Sequence, residues 1–385
     1  MKKLRTIICL LIFVLTLPGV LALRSRLPED VQPLIEKKYG GWSGVLRLWV
    51  CTDQPVAAWL NPCVASYEKQ HPGVYLQPEV VAADALSAEG MPPPDLILFP
   101  PGQADVNLFA PLGFEPHLRE GMSRNECAVP VLMGGYMWVY NAALIDRLPD
   151  TWRGLRLAVP EARAAALLAL CSSKYSEGAG HTEPSGAIEL GLLPDDSENT
   201  TMPAPAEGTL NCELPEDFAF DGDAWHSFIN GQAAAMPVTA REIRRLEALS
   251  DQGQGPDWRL GAAGAAVYTD QVLYIGAVAQ ENAEQLALCR GFIEHLLSEA
   301  CQGMLHRVDA FSASGADSGY APGDSLVAME AMLRQRPVIV PGPFDRTWRA
   351  DIVAIVREYV EDRGEPQALL GRLRERLTQK TEHSG

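Results

Sequence analysis

Histidine, cysteine and paired carboxylates are the side chains able to support metal binding, nucleophilic catalysis or acid–base work, and their spacing here assembles none of these in a local motif. The seven histidines are scattered, with no two at metal-ligand spacing. His71 and His295 fall on polar faces of predicted helices, which reads as solvated histidine. The acid pair Asp195-Asp196 lies in a stretch rich in Gly, Ser, Pro, Glu and Thr and reads as solvated charge, and Asn199-Thr200-Thr201 matches a glycosylation acceptor. There is no G-x-x-x-x-G-K-[ST] phosphate loop, no H-E-x-x-H, no G-x-S-x-G elbow, and no G-x-G-x-x-G after a strand. An enzyme would therefore have to assemble its site from distant residues.

The eight cysteines say more about compartment than about catalysis. Cys9 lies inside an apolar run with no cysteine just after it, which does not fit a lipid-modified cysteine of the usual bacterial type. Cys51, Cys63, Cys127, Cys171, Cys212, Cys289 and Cys301 remain, an odd number, so at least one is free or pairs between chains. No C-x-x-C spacing supports a structural zinc site. Cys51 and Cys63 are the pair expected to bridge, the alternative being two buried thiols that act as small apolar residues.

The positioning elements begin after a targeting signal. Lys2, Lys3 and Arg5 precede the apolar run 7–17, Pro18-Gly19 breaks it, and Val20-Leu21-Ala22 supplies a small-residue cleavage site, so 1–22 reads as a signal peptide. The alternative is an uncleaved anchor, for which the run is short. The expected location is extracytoplasmic, periplasmic or at the cell surface. Cleavage after Ala22 removes Lys2, Lys3 and Arg5 and no acid, taking the formal charge from −17 to −20. Such an acidic surface excludes nucleic acid as a partner, because phosphates need a basic footprint. Hydrophobic content of 47% and a mean hydropathy near zero fit soluble domains, and the length allows two of ordinary size.

The clearest fold signal is one β-α-β unit. The run 45–50 is short, apolar and β-prone, as a strand covered on both faces should be. Val56, Leu60, Val64 and Tyr67 then fall on one helical stripe, which Pro62 either kinks or restarts. His71-Pro72-Gly73 stops the helix and frees 74–78 to run as a strand, and Pro94-Asp95-Leu96-Ile97-Leu98-Phe99 gives another. Further on, 128–140 is a long β-prone run with a bend expected at Gly134-Gly135. A helix is expected over 142–147 and a strand over 155–159. The segment 172–215 reads as a surface loop region. Order is expected to return with a helix over 223–234, strands over 235–239 and 265–278, and a helix over 281–297 in which Leu286, Cys289, Phe292, Ile293 and Leu296 keep the three-and-four spacing. A C-terminal helical pair follows, one stripe on Ile352, Ile355, Val356, Tyr359 and Val360 and the other on Leu369, Leu370, Leu373 and Leu377.

The order of these pieces resembles the family-1 extracellular solute-binding proteins of ABC importers, the maltose-binding-protein-like group. The resemblance is carried by Tyr67-Glu68-Lys69-Gln70-His71-Pro72-Gly73-Val74, by Pro94-Asp95-Leu96-Ile97, and by Pro130 to Tyr140-Asn141. It continues in Phe228-Ile229-Asn230-Gly231-Gln232-Ala233-Ala234-Ala235-Met236 and in 292–302, which is similar to the family's Phe-x-x-x-Leu-x-Ser-x-x-x-Gln pattern. It implies an α/β, two-lobed type 2 periplasmic-binding-protein fold, with a ligand cleft between lobes and a helical C-terminus. Lobe 1 would comprise 43–138 and 265–315, lobe 2 139–264, and a helical segment 316–385 would span both.

The resemblance further implies a monomer that binds a small solute, carbohydrate by class, and hands it to a membrane permease, with no cofactor, no metal and no covalent chemistry. It places Thr52, Asp53 and Gln54 at the cleft, and Phe99 and Trp348 where sugar-binding relatives carry stacking aromatics. Tyr136, Trp138, Thr239 and Arg241 are further candidates. Aromatic rings would stack on sugar faces, Asp53 would accept hydroxyl hydrogen bonds and Arg241 would donate to oxygens. Against this, Trp138 could be core, Asp53 a helix cap and Arg241 an exposed helix residue. Gly134-Gly135 stand where relatives often have polar ligand contacts. Two other readings remain: a sensing or degenerate receptor acting on a signalling partner, and a secreted enzyme with a dispersed site.

Overall fold

The computed structural model describes residues 42–82, 94–119, 122, 125–148, 154–167, 218–261, 267–334, 338–362, 372 and 375–376. The signal segment 1–22, the loop region 172–215 and the Leu369, Leu370, Leu373 and Leu377 stripe lie outside the described residues.

The predicted β-α-β unit is present. Strand β1 (Gly44–Val50) leads to helix α1 (Ala57–Gln70), which continues through Pro62 and buries Trp59, Leu60, Cys63, Val64 and Tyr67. The chain turns at Gly73, whose φ of +94° suits a residue without a Cβ. It then runs as β2 (Val74–Val80), parallel to β1 in the register Gly44↔Val74 to Val50↔Val80. On the other side of β1 lies the parallel strand β3 (Leu96–Phe99).

The chain then leaves this sheet and returns. Strand β4 (Val129–Met133) belongs to the first sheet, and β5 (Met137–Asn141) to a second. The break falls at Gly134-Gly135, as the paired glycines predict. In the second sheet β5 lies between β6 (Ala235–Val238) and β7 (Trp258–Gly261), antiparallel to both. After β8 (Val267–Tyr268) the chain rejoins the first sheet as β9 (Val272–Ala277), antiparallel to β3 and β4, and β10 (Phe311–Ser312) closes that edge. The first sheet has the order β10-β4-β9-β3-β1-β2, and a parallel pair joins β8 to β11 (Val338–Ile339). The helices after α1 are α2 (Ala224–Ile229), α3 (Ala240–Asp251), α4 (Ala283–Leu296), α5 (Glu299–Gln302), α6 (Ser325–Arg334) and α7 (Trp348–Asp362). No helix among the described residues is long and apolar enough to cross a membrane.

Strand periodicity sorts the side chains into three apolar bodies. Leu46, Leu48, Leu96 and Leu98 point to the face covered by α1 and α4, while Trp49, Ile97 and Phe99 point to the opposite face. Along β5, Trp138 and Tyr140 pack against Trp348, Ile352 and Val356 of α7, whereas Met137 and Val139 point the other way. Met137 and Val139 join Trp49 and Phe99 in one body with Ile243 and Leu246 of α3 and Met329 of α6. The two sheets therefore share a core across the seam between them.

Several local expectations change. The stretch 142–147 is a turn: the Asn141 side chain accepts from the Ala143 N–H at 3.0 Å, and the Asn141 carbonyl accepts from both Leu144 and Ile145. The expected strand over 155–159 reduces to one bridge, Leu157 to Ala235, and the expected helix over 223–234 stops at Ile229. Cys51 and Cys63 do not face each other. Both are free and buried, Cys51 in the seam body with Trp49, and Cys63 in the body under α1 and α4, because α1 covers the face of the first sheet opposite the one Cys51 joins. His295 is half-buried beside the Tyr67 ring at 5.5 Å, not solvated, and His71 stacks on that ring at 4.0 Å.

Candidate functional site

The carboxyl ends of β1, β3 and β4 reach the same edge of the first sheet, since β9 runs against both β3 and β4. This edge is where an α/β sheet gathers ligand-holding loops. From β1 to β4 it spans three inter-strand steps, roughly 14 Å at about 4.8 Å each. The second sheet begins immediately beyond it, so the edge and the seam are one place.

At the β1 end, Thr52 is half-buried and Asp53 and Gln54 are exposed. The Thr52 hydroxyl oxygen accepts from the Gln54 N–H at 3.1 Å, which shapes the turn before α1. Asp53 does not cap α1: Val56 holds the cap position and no side chain bonds to it. Its side chain and that of Gln54 are exposed beyond the carboxyl end of β1.

At the β3 end the edge is aromatic. Phe99 is fully buried, stacked on Phe109 at 5.3 Å and on Phe344 at 5.9 Å, with Tyr274 at 6.3 Å. The Phe344 segment is held down by two backbone carbonyls: Pro343 accepts from the Gly102 N–H and Pro341 from the Tyr274 hydroxyl, both at 2.8 Å. A sugar could reach the Phe99 face only by displacing a neighbouring ring.

Past Gly134-Gly135 the site becomes polar. Tyr136 is buried and donates its hydroxyl to Asp270 at 2.7 Å, and the second oxygen of Asp270 pairs with Arg349 at 3.3 Å. Burial, then the Asp270 carboxylate, pushes the Tyr136 phenol above its ordinary value. The Arg163 guanidinium lies 5.8 Å over the Tyr136 ring, donates to the Pro237 carbonyl at 2.8 Å and pairs with Glu242 at 2.7 Å. Thr239 opens α3 with a reciprocal cap: its hydroxyl accepts from the Glu242 N–H, and its own N–H donates to the Glu242 carboxylate.

Tyr136 and Thr239, proposed separately from the sequence, are thus joined through Arg163 and Glu242. Trp348 stands beside this network, its ring 5.1 Å from the Arg349 guanidinium, but its body is buried against β5. Trp138 is fully buried in the same packing. Arg241 is exposed on α3. Arg163, Glu242, Asp270 and Arg349 were not singled out in the sequence. The spacing Thr239-x-x-Glu242 was a legible capping-box signal, while Asp270 and Arg349 carry no local one.

A second polar group spans the seam. Arg244 of α3 pairs with Asp324 at 2.6 Å, with Asp309 at 3.2 Å and with Glu247 of its own helix at 3.2 Å. Burial works against its charge, yet the hydrogen bonds it donates to Asp324, Asp309 and Glu247 leave its pKa raised. The Arg244 pairing correspondingly leaves the Asp324 carboxyl below its ordinary value despite burial. Asp309 holds this position in a left-handed backbone conformation, φ +51°. Among the described residues, a hollow of about 390 Å³ is lined by His117 and Arg119 and one of about 620 Å³ by Ser250 and Trp258.

Two sheets joined by crossing strands, with a helix packed on the second and polar groups at the carboxyl edge of the first, define a two-lobed α/β fold of the maltose-binding-protein-like type. A solved structure of the cyclic alpha-maltosyl-1,6-maltose binding protein from Arthrobacter globiformis shares this fold, with a TM-score of 0.53, 10% identity, and coverage of 89% of this chain and 100% of that one. The GacH receptor of Streptomyces glaucescens is also similar, with a TM-score of 0.49, 16% identity, and coverage of 88% and 99%. No protein-family model matches the chain, and no curated protein matches it.

Proposed function

We propose that this chain is an extracytoplasmic solute receptor that holds a small solute, carbohydrate by class, between its two lobes and delivers it to the membrane permease of an ABC importer. The observation that supports this reading most is the crossing of β4 into β5 at Gly134-Gly135, which builds a two-lobed fold shared over 89% of the chain with a saccharide receptor. Thr52, Asp53 and Gln54 offer hydroxyl, carboxylate and amide groups at the mouth. Tyr136, Thr239 and Arg241 would meet the solute from the second lobe, with Trp348 as an apolar wall behind them.

The test is a thermal-shift and calorimetric screen of the full chain against linear and cyclic maltooligosaccharides, with amino acids and polyamines as controls. A solute that binds only the folded state at a hundredfold excess over its Kd stabilises by about 2.7 kcal/mol. A saturable rise in Tm with a saccharide, lost in Asp53→Ala, is the expected result. No shift with any saccharide would overturn the carbohydrate reading.

A second reading, a sensing or degenerate receptor acting on a signalling partner, is favoured by the packing of Phe344 on Phe99 and by the apolar core that runs across the seam. In that case no small solute shifts the Tm, and pull-down with membrane-protein fractions from the source organism recovers a sensor in place of a permease.

A further inference from the structure

Arg119 is anchored just beyond β10, its backbone N–H donating to the Ala313 carbonyl at 3.0 Å. Its guanidinium reaches the carboxyl end of β4, where Nη1 donates to the Met133 sulfur at 3.8 Å. That contact is weak, since a thioether is a poor acceptor. Nη2 is enclosed without a hydrogen-bond partner, and Arg119 forms no ion pair among the described residues. The carboxylate whose charge it feels, Glu330 of α6, is already engaged. One Glu330 oxygen accepts from the Ser318 N–H at 2.9 Å, from the Ser318 hydroxyl at 2.7 Å and from Arg334 at 3.0 Å. Arg334 also donates to the Ala316 carbonyl at 3.2 Å, so a second cation borders the same turn. Burial first, then the Arg334 charge, hold the Arg119 pKa below its ordinary value, and Glu330 offsets only part of this.

A cation taken out of water is ordinarily matched by an anion, because a buried unpaired charge is costly. Arg119, half-buried as a whole, also lines a hollow of about 390 Å³ together with Glu115, Pro116, Leu118 and Met122. Turning the guanidinium toward that hollow costs Nη1 one sulfur contact and Nη2 no partner at all. We propose that the hollow is a binding site for a small organic monocarboxylate, whose two oxygens accept from Nη1 and Nη2 of Arg119 while its body lies on Pro116, Leu118 and Met122. The planar fork of the guanidinium suits two coplanar carboxylate oxygens. The Glu115 carboxylate in the lining disfavours a dianion, and the apolar lining disfavours a bare inorganic oxyanion. The volume is at the low end of the 300–1,000 Å³ usual for small-molecule sites, which suits one ring or a short chain.

The site lies on the outer flank of β4, three strand positions from the β1 end that carries Thr52, so it is independent of whether the seam takes a saccharide. The same geometry separates a ligand-holding arginine from a structural one. A structural arginine leaves partners unpaired when it is truncated, whereas the Arg119 guanidinium has one sulfur contact to lose. Arg119→Met, which keeps an unbranched apolar stem, should therefore fold with a Tm no lower than that of the native protein. The carboxylate, in contrast, needs the charge, and its loss should weaken binding about ten- to a hundredfold.

The test is isothermal titration calorimetry of the full chain with sodium benzoate and sodium lactate, at constant ionic strength, against their neutral amides benzamide and lactamide. The expected result is saturable binding of at least one carboxylate, with its amide at least about tenfold weaker, since the amide offers one acceptor and no charge. Sodium phosphate should not bind saturably. Arg119→Met should weaken the carboxylate by about the same factor, while Arg245→Met, which removes an exposed cation on α3, should leave its Kd unchanged. No saturable binding of either carboxylate, equal binding of carboxylate and amide, unaltered affinity in Arg119→Met, or tighter binding of phosphate than of either carboxylate would overturn the proposal. Should Arg119→Met fail to fold, the carboxylate-to-amide ratio measured on the unaltered chain still decides.

Discussion

Replacing Arg244 with Met keeps the aliphatic stem and removes the cation that pairs α3 with Asp309 and Asp324. Arg244 is about one-third exposed at 32%, so solvent screening applies and each cross-seam pair is worth about 0.5–1 kcal/mol. Two such pairs give about 1–2 kcal/mol, or a roughly 5- to 30-fold shift of a closed-to-open equilibrium. Small-angle scattering of the ligand-free protein should show a larger radius of gyration for Arg244→Met at pH 7, with a lower Tm. The pH dependence provides an independent arm. The pKa of Asp324 is lowered in the folded state, so its contribution is complete above the unfolded value of about 3.9 and is lost as pH falls through the folded value. The Tm gap between native and variant proteins should therefore be constant from about pH 7 to 5 and close below about pH 3.9. Superposable scattering curves with equal Tm values at pH 7, or a gap that persists unchanged at pH 3, would refute the reasoning that the Arg244 pairs hold α3 across the seam.

Tyr136→Phe leaves one oxygen of the buried Asp270 carboxylate without its donor and should cost about 1–3 kcal/mol, measured by urea unfolding; a change under about 0.3 kcal/mol would remove Tyr136 from the network. In Gly276→Ala the new Cβ would sit 2.5 Å from the Phe109 ring and 2.8 Å from the Cys127 carbonyl oxygen. Because the latter is backbone and cannot swing aside, destabilisation of about 1–3 kcal/mol is expected in the same assay. Phe344→Ala should cost about 2–4 kcal/mol and increase binding of an apolar dye, since it uncovers Phe99 and Phe109; unchanged dye binding would show that the ring does not cover that edge.

The fold class was legible because its signals are local. Alternation along 45–50, 96–99 and 137–140 determines which face each side chain leaves, and paired glycines mark where the chain quits one sheet for the other. The site was less legible because its contacts join distant segments. Tyr136 has the right type for a ligand contact, but its hydroxyl partner, Asp270, comes from the other crossing segment, and Arg349 reaches it from the start of α7. Phe99 reads as a stacking platform from position and type, while the ring that stacks on it belongs to the C-terminal part of the chain. The cysteine pairing failed for a similar reason: Cys51 and Cys63 are close in sequence, but β1 and α1 send them to opposite sides of a sheet.

The seam imposes a thermodynamic condition on any receptor role. A ligand shifts an open–closed equilibrium only by its differential affinity for the two states. Here the arrangement in the structure already contains contacts across the seam that need no solute: Met137 and Met236 in one body with Trp49 and Phe99, and Arg244 between Asp309 and Asp324. On the proposed receptor reading, those contacts favour this arrangement without ligand, so a bound solute would have less conformational work left to do. Solute should therefore compact the native protein little in scattering, whereas Arg244→Met, with its open state repopulated, should compact visibly when the same saccharide is added. A native protein that is open without solute and closes fully on binding would contradict this, because the solute would then supply the closure energy that these seam contacts are argued to supply.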